Sequence, residues 1–479
     1  MSLKKQAISG VFWSSLQQFS SQIIGFIVSI ILARLLLPSE FGLIAMIGIF
    51  MGIGAVLMDA GLTQSLIRTT NPTQEDFSTV FFFNLFGSII IYIFFFFTAP
   101  YIADFYNQQI LTQIIRSYCI IFIINAFSSV QFTRLTKKMD FKTEMKVTVP
   151  SLIIGAITGI SLALAGFGVW SLVICAIVQS LASTVQLWYW SKWKPTWGFN
   201  KEIFKNHFHF GYKLTLSALL DMIFNNIYVI IIGKFFAPAQ VGFFNRADSL
   251  KQFPVHNVSV ILNKITFPLF AQIKDDDIRL KEIYKKIMQM VIYIIAPTLF
   301  FMAILAEPLF RFLFTEKWLP AVPYFQILCA NGLLYPIHSY NLNILKVKGR
   351  SDLFLKLEII KKILIVIMVL ISFQYGIFGL LYGSVIFSVV AFFINTHYTG
   401  KYLNYTAWSQ MKDLLPIIFL AAFCGFLVFI MDFFTKQFFH FDILRIIFCG
   451  FSGTFLYFCL SYSFKMSSLF ELISIIKRK

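Results

Sequence analysis

Arg246, Asn257 and Lys264 lie in an expected membrane span, 242–268, that carries internal charges. At about 100° per residue, the 18 positions from Arg246 to Lys264 return a helix to the same face. Phe253 shares that face, and His256 lies beside it. Asp248 and Lys251, three apart, are placed to pair with each other. The face then carries two cations and no acid. A guanidinium offers a bidentate fork and an ammonium a point charge, a combination suited to a diphosphate. The plainer reading has both cations snorkelling to opposite membrane interfaces. Lys361 is a third candidate cation. Glu358 and Lys362, four apart, are expected to pair, which leaves Lys361 to face a cavity or to snorkel. Arg34 fits either a phosphate on arrival or an anchor at the interface.

Neutral polar residues recur at helical spacing elsewhere. Ser14, Gln18, Ser21, Gly25 and Ser29 follow one another at steps of three and four, making one polar face. Ser217, Asp221, Asn225 and Tyr228 repeat the pattern further on. Such stripes line a polar cavity, or they join helices by small residues and hydroxyls. Asp59, in "LMDAGL", fits a cap or ion pair at the end of its helix, or a gating contact. With Asp221 it is also a candidate for coupling, since acids within a membrane are functional candidates by default. No cofactor is expected. Coupling to a proton or sodium gradient is compatible with the sequence.

The elements that must position these residues are long apolar helices. The chain has 479 residues, 58% hydrophobic and only 13% charged, against roughly a quarter charged in soluble proteins. Runs of about 18 apolar residues read as membrane spans. We expect an all-α polytopic membrane protein of about fourteen spans, with twelve as the fallback. They fall near 11–33, 42–66, 78–99, 112–132, 147–165, 168–189, 212–233, 242–268, 287–306, 321–345, 356–374, 377–397, 413–432 and 443–464. The first segment follows Lys4 and Lys5, is too long for a cleavable signal, and is expected to stay as an anchor. The six cysteines lack zinc or redox spacing and read as apolar filler, and no metal site is expected.

The net charge of +18 is mostly topology. Basic residues crowd alternate connections, such as Arg134 to Lys146 and Lys274 to Lys286, and the tail Lys477-Arg478-Lys479. The opposite connections, "APYIADFYNQQ" and "AGFGVW", carry neither Lys nor Arg. This places both termini in the cytoplasm. Charge confined to short juxtamembrane connections argues against nucleic acid as a partner.

The chain also repeats itself. "ARLLLPSEFG" at 33–42 and "GKFFAPAQVG" at 233–242 share their punctuation at an offset of 233 − 33 = 200. Each ends one long helix at a proline and enters the next through a glycine. We therefore expect two six-helix lobes related by a pseudo-two-fold axis along the membrane normal, plus two C-terminal helices. The boundaries are 1–190 for the first lobe, 191–211 for a basic, aromatic linker along the cytoplasmic interface, 212–400 for the second lobe, and 401–479 for the two extra helices and basic tail.

"ILARLLLPSEFGLIAMIGIF", "LMDAGLTQSLI", "EDFSTVFFFNL", "APYIADFYN" and "GFGVWSLV" resemble the polysaccharide-transporter branch of the multidrug/oligosaccharidyl-lipid/polysaccharide flippase superfamily. The resemblance is to Wzx-type exporters of O-antigen, colanic-acid and teichuronic-acid type. It is strong over 1–190, looser over 200–350 and general beyond. It implies a multi-pass protein of the bacterial inner membrane that moves undecaprenyl-diphosphate-linked oligosaccharide to the periplasmic leaflet by alternating access, for surface polysaccharide such as lipopolysaccharide. A polymerase and chain-length proteins are the partners it implies. The alternative is an ion-coupled drug or small-molecule exporter of the same superfamily, for which Asp221 would carry the ion. A polysaccharide polymerase or glycosyltransferase fits less well, because the sequence holds no HExxH, no Gly-rich phosphate loop and no paired carboxylates outside the expected spans. We expect no enzyme.

Overall fold

The computed structural model describes residues 3–477, which are helical nearly throughout, with no strand among them. The chain forms two compact units, Met1–Gly242 and Phe243–Lys479.

The first unit holds α1 (Leu3–Leu35), α2 (Pro38–Asp59), α3 (Leu62–Arg68), α4 (Gln74–Tyr106), α5 (Ile110–Tyr118), α6 (Ile120–Lys137), α7 (Phe141–Leu164), α8 (Val169–Ser191), α9 (Lys201–Asn225) and α10 (Ile227–Phe235). Within it α1 packs along α7, α7 along α8, α8 along α6 and α6 along α4. The first turn of α11 (Pro238–Gln272) also belongs to this unit.

Local chemistry sets the helix ends. Pro38 opens α2, where its missing N–H costs nothing, and the Glu40 carboxylate accepts from the Leu37 N–H at 2.6 Å. Ala60 and Gly61 then take left-handed backbone, φ 46° and 70°, which ends α2 before α3 begins. Thr73 and Asp76 cap α4 reciprocally, each side chain accepting from the other's N–H, at 3.2 and 2.7 Å.

The repeated motif has a direct physical cause within the first unit. Pro38 and Pro238 each open a helix, and Gly42 and Gly242 lie one turn in. A Cβ on Gly42 would fall 1.8 Å from the Pro238 carbonyl oxygen, and one on Gly242 would fall 1.9 Å from that of Pro38. The two copies meet backbone to backbone, and each glycine admits the other's carbonyl. The motif's second basic residue, Lys234, donates to the Phe105 carbonyl at 2.6 Å and so fastens the end of α4.

The connection expected over 191–211 is non-helical only from 192 to 200. It runs against α4. Trp193 Nε1 donates to Gln74 Oε1 at 2.7 Å, the Thr196 N–H donates to Ser78 Oγ at 3.0 Å, and Trp197 stacks on Phe82 at 5.3 Å. Asn200 then caps α9, accepting from the Glu202 and Ile203 N–H groups. The seventh expected span is two helices, α9 and α10, bent by 48° at Asn226.

The second unit continues α11 and adds α12 (Asp277–Ile304), α13 (Ala306–Phe314), a 3-10 turn (Glu316–Ala321), α14 (Val322–Gly332), α15 (Tyr335–Val347), α16 (Ser351–Phe373), α17 (Gly376–Leu403), α18 (Ala407–Phe438), α19 (Asp442–Ser463) and α20 (Ser467–Lys477). Its core gathers Phe270, Tyr284, Tyr340, Phe392 and Tyr457 from α11, α12, α15, α17 and α19. There α12 packs along α18, α18 along α19, and α16 along α17.

Among the described residues ten spans are long and apolar enough to cross a membrane, and eleven if bent α9–α10 counts as one. This is fewer than the fourteen expected. The missing segments are helical but differently composed. Arg246, Asp248, Lys251 and Lys264 dilute α11, and five charged residues from Asp352 to Lys362 dilute α16. The tenth expected span is broken between α14 and α15 into pieces too short to qualify alone.

Candidate functional site

The charged residues of α11 belong to the second unit. Arg246 is buried, 9% exposed, with its guanidinium 5.1 Å from the centre of the Phe314 ring and 5.3 Å from that of Trp318. The rings replace part of the lost hydration through their negative faces. Asp248 and Lys251 pair at 2.5 Å, as their spacing predicts. Lys251 is 4% exposed and its stem lies against α14, where a Cβ on Gly332 would come within 3.0 Å of it. Asn257 donates to the Phe253 carbonyl one turn back, at 2.8 Å. The Lys264 side chain lies outside the described residues.

On α16 Lys361, expected to be left over, bonds Glu358 at 2.6 Å. Both spacings put the ammonium near the carboxylate on a helix, and the three-residue step brings it there with both side chains largely buried. Lys361 is therefore a paired cation in this structure.

A polar seam that the sequence reading passed over runs beside these groups. On α17, Ser384, Ser388, Asn395 and Thr399 succeed one another at steps of four, seven and four, and all are buried. Asn331 Nδ2 donates to Ser384 Oγ at 3.0 Å, and His338 Nε2 lies 3.2 Å from Ser388 Oγ. Asn341 Nδ2 donates to Thr396 Oγ1 at 3.2 Å and accepts from Tyr284 Oη at 2.5 Å. The signal was present in "YGSVIFSVVAFFINTHYTG", masked by the phenylalanines between the polar positions.

The remaining predicted residues sit in the first unit. Gln18, Asp221 and Asn225 are exposed, as is Arg34 in the last turn of α1. Ser21 is half-buried, and its hydroxyl has no hydrogen-bond partner among the described residues. Asp221 lies one turn before the bend at Asn226, and Asn225 adjoins it. Asp59 accepts from the Thr63 N–H at 3.2 Å and from the Thr63 hydroxyl, so it caps α3. Among the described residues no group of three or more His, Cys, Asp or Glu side chains could hold a metal ion. The structure thus divides the predicted residues between its units: Arg246, Asn257 and Lys361 in one, Arg34, Gln18, Ser21, Asp59, Asp221 and Asn225 in the other.

The sequence profile of a family described as polysaccharide biosynthesis protein matches residues 31–323, well over half the chain. The chain belongs to this family. Among similar proteins are the teichuronic acid biosynthesis protein TuaB of Bacillus subtilis (strain 168) and the lipopolysaccharide biosynthesis protein WzxC of Escherichia coli (strain K12). The first is 27% identical over 357 residues, 74% of this chain and 73% of that protein. The second is 22% identical over 397 residues, 81% of this chain and 80% of that one. Among solved structures the fold is similar to the lipid II flippase MurJ in an inward closed conformation. The TM-score is 0.73 at 13% identity, covering 93% of this chain and 98% of that one. It is also similar to a multidrug-resistance MATE family transporter of the MOP superfamily. There the TM-score is 0.60 at 17% identity, covering 80% and 96%. The resemblance to Wzx-type polysaccharide exporters is borne out. This member of the family is a multi-pass membrane protein of polysaccharide biosynthesis with the fold of MOP transporters.

Proposed function

We propose that the protein is a flippase for undecaprenyl-diphosphate-linked oligosaccharide, moving its cargo from the cytoplasmic to the periplasmic leaflet of the bacterial inner membrane by alternating access. The observation that carries this reading is the exposure of Gln18 on α1 and of Asp221 and Asn225 on α9, each within a stretch long and apolar enough to lie in a membrane. Polar side chains at membrane depth are costly in hydrocarbon, so such faces call for a water-filled path. A sugar head group needs that path, while its lipid tail can stay in the bilayer. The names of the relatives, which concern teichuronic acid and lipopolysaccharide biosynthesis, support the cargo class. The likeness to a lipid II flippase supports the mode of movement.

In this reading α11, α14–α15 and α16 cross the membrane as well, giving fourteen spans. Residues 1–190 and 212–400 are two six-helix lobes, 401–479 adds two spans, and both termini are cytoplasmic. Arg246, Lys361 and Arg34 attract the diphosphate. The cargo passes to a polymerase and chain-length proteins, and the protein is a transporter rather than an enzyme. A second reading, an ion-coupled exporter of small molecules, has Asp221 in its favour as an exposed acid on α9.

The test is depletion of the protein in its host. Lipid-linked oligosaccharide should then accumulate in a form that an impermeant oxidant added outside the inner membrane does not reach. Unchanged accessibility would contradict the proposal.

A further inference from the structure

Three residues outside the predicted sites meet in series in the first unit. Ser65 of α3 lies 2.7 Å, oxygen to nitrogen, from His207 Nδ1, and His207 Nε2 lies 3.1 Å from Asp76 Oδ1 in the first turn of α4. Ser65 is 6% exposed and His207 5%. They line a polar cavity of about 420 Å³ with Arg68, Thr70 and Asn206, which are exposed and open it to water. We propose that Ser65, His207 and Asp76 form a proton-binding site that clasps the start of α9 against α3 and α4.

The chemistry of the three groups carries the inference. With a neutral ring, Nε2–H donates to Asp76 and Nδ1 accepts from the Ser65 hydroxyl. With a protonated ring, Nδ1–H donates to Ser65 Oγ, and the hydroxyl turns its hydrogen toward the cavity that Ser65 lines. Both ring nitrogens keep their partners in either state, so taking up a proton from water breaks neither contact. It converts a hydrogen bond from a neutral ring to the Asp76 carboxylate into an ion pair. Asp76 is itself held by the Thr73 N–H and hydroxyl, at 2.7 and 2.6 Å, so its carboxylate cannot follow a departing ring.

The neighbouring charges leave Asp76 as the acid that touches the imidazole. From α2, Asp59 is engaged by Thr63. From α3, Arg68 stacks on Phe210 at 4.5 Å and sits at the rim of the same cavity. From α4, Glu75 accepts from Asn200 at 3.1 Å. From α10, Lys234 is held at the Phe105 carbonyl. Lys137 of α6, which packs on α3, is tied to the carbonyls of Leu66, Ile67 and Thr69.

One turn beyond His207 the backbones of α9 and the α2–α3 corner touch. A Cβ on Gly211 would lie 2.2 Å from the Ala60 carbonyl oxygen. The clasp and this crossing hold the same stretch of α9. Strength gained at His207 therefore tightens the helix that leads from the connection at 192–200 to the bend at Asn226. The proposal does not depend on which cargo the protein moves.

The experiment is amide hydrogen exchange of the whole protein in detergent, from about pH 5 to pH 8, where histidines change charge, corrected for intrinsic rates. Protection over residues 201–211 should rise about tenfold as pH falls, the gain of an ion pair over a bond with one charged partner. His207→Gln keeps hydrogen-bonding capacity but cannot titrate. Asp76→Asn keeps an acceptor but no charge. Each folded variant should give a flat corrected profile, and having two guards against one failing to fold. A wild-type profile that is already flat, or one that persists in either folded variant, would overturn the proposal.

Discussion

Arg246 shows what a buried cation costs and how the protein meets that cost. Its guanidinium lies over Phe314 and Trp318, and a desolvated cation–π contact of this kind contributes about 2 kcal/mol. Arg246→Ala should lower the apparent melting temperature of the purified protein and reduce transport. Arg246→Lys should recover only part of both, because an ammonium lacks the planar fork that stacks on rings. Equal behaviour of the Lys variant and wild type in both assays would mean that only charge matters there. Asp59 gives a contrasting expectation. It caps α3, so Asp59→Ala should cost about 1 kcal/mol of stability, with transport per folded molecule unchanged. A large fall in transport with stability intact would instead favour the gating reading of Asp59. At this scale the sequence was half legible. The Asp248–Lys251 pair followed from spacing alone, whereas the partner of Lys361 did not. Steps of three and four residues both bring side chains together on a helix, so spacing alone does not leave either lysine over. The His207–Asp76 contact joins residues 131 positions apart, a distance at which no local pattern speaks.

Helices were the legible part of the fold, because each apolar run exceeds the length a membrane requires. Their breaks were less so. The bend falls at the Asn225-Asn226 pair and the interruption between α14 and α15 lies between Gly332 and Pro336, local breakers that the length of the surrounding apolar runs conceals. The repeated proline–glycine motif was visible in the sequence, and its cause became plain only in three dimensions, where Gly42 and Gly242 each admit the carbonyl of the opposite proline. Gly42→Ala and Gly242→Ala should therefore each destabilise by about 3 kcal/mol, the upper end of overpacking, since the obstacle is backbone and cannot rotate away. Gly48→Ala is the control, because nothing lies within 4 Å of a Cβ there. The readout is apparent melting temperature in detergent. Similar values for all three variants would mean that the contact yields easily.

At the scale of the whole molecule, the basic connections predict orientation. Trp197 is 94% exposed in the connection that precedes α9. A cysteine placed there in a background without the six native cysteines, by Trp197→Cys, should react with an impermeant thiol reagent only in inside-out vesicles. Reaction in intact spheroplasts would reverse the topology and with it the direction of transport. The central claim concerns cargo, and the most direct test of it is reconstitution. Purified protein in proteoliposomes should transfer a short-chain, radiolabelled polyprenyl-diphosphate oligosaccharide to the opposite leaflet. Arg246→Ala, folded but lacking the buried guanidinium, should lose that transfer. Failure of the wild-type protein to move any lipid-linked glycan, together with gradient-driven efflux of small cations from the same vesicles, would contradict the account.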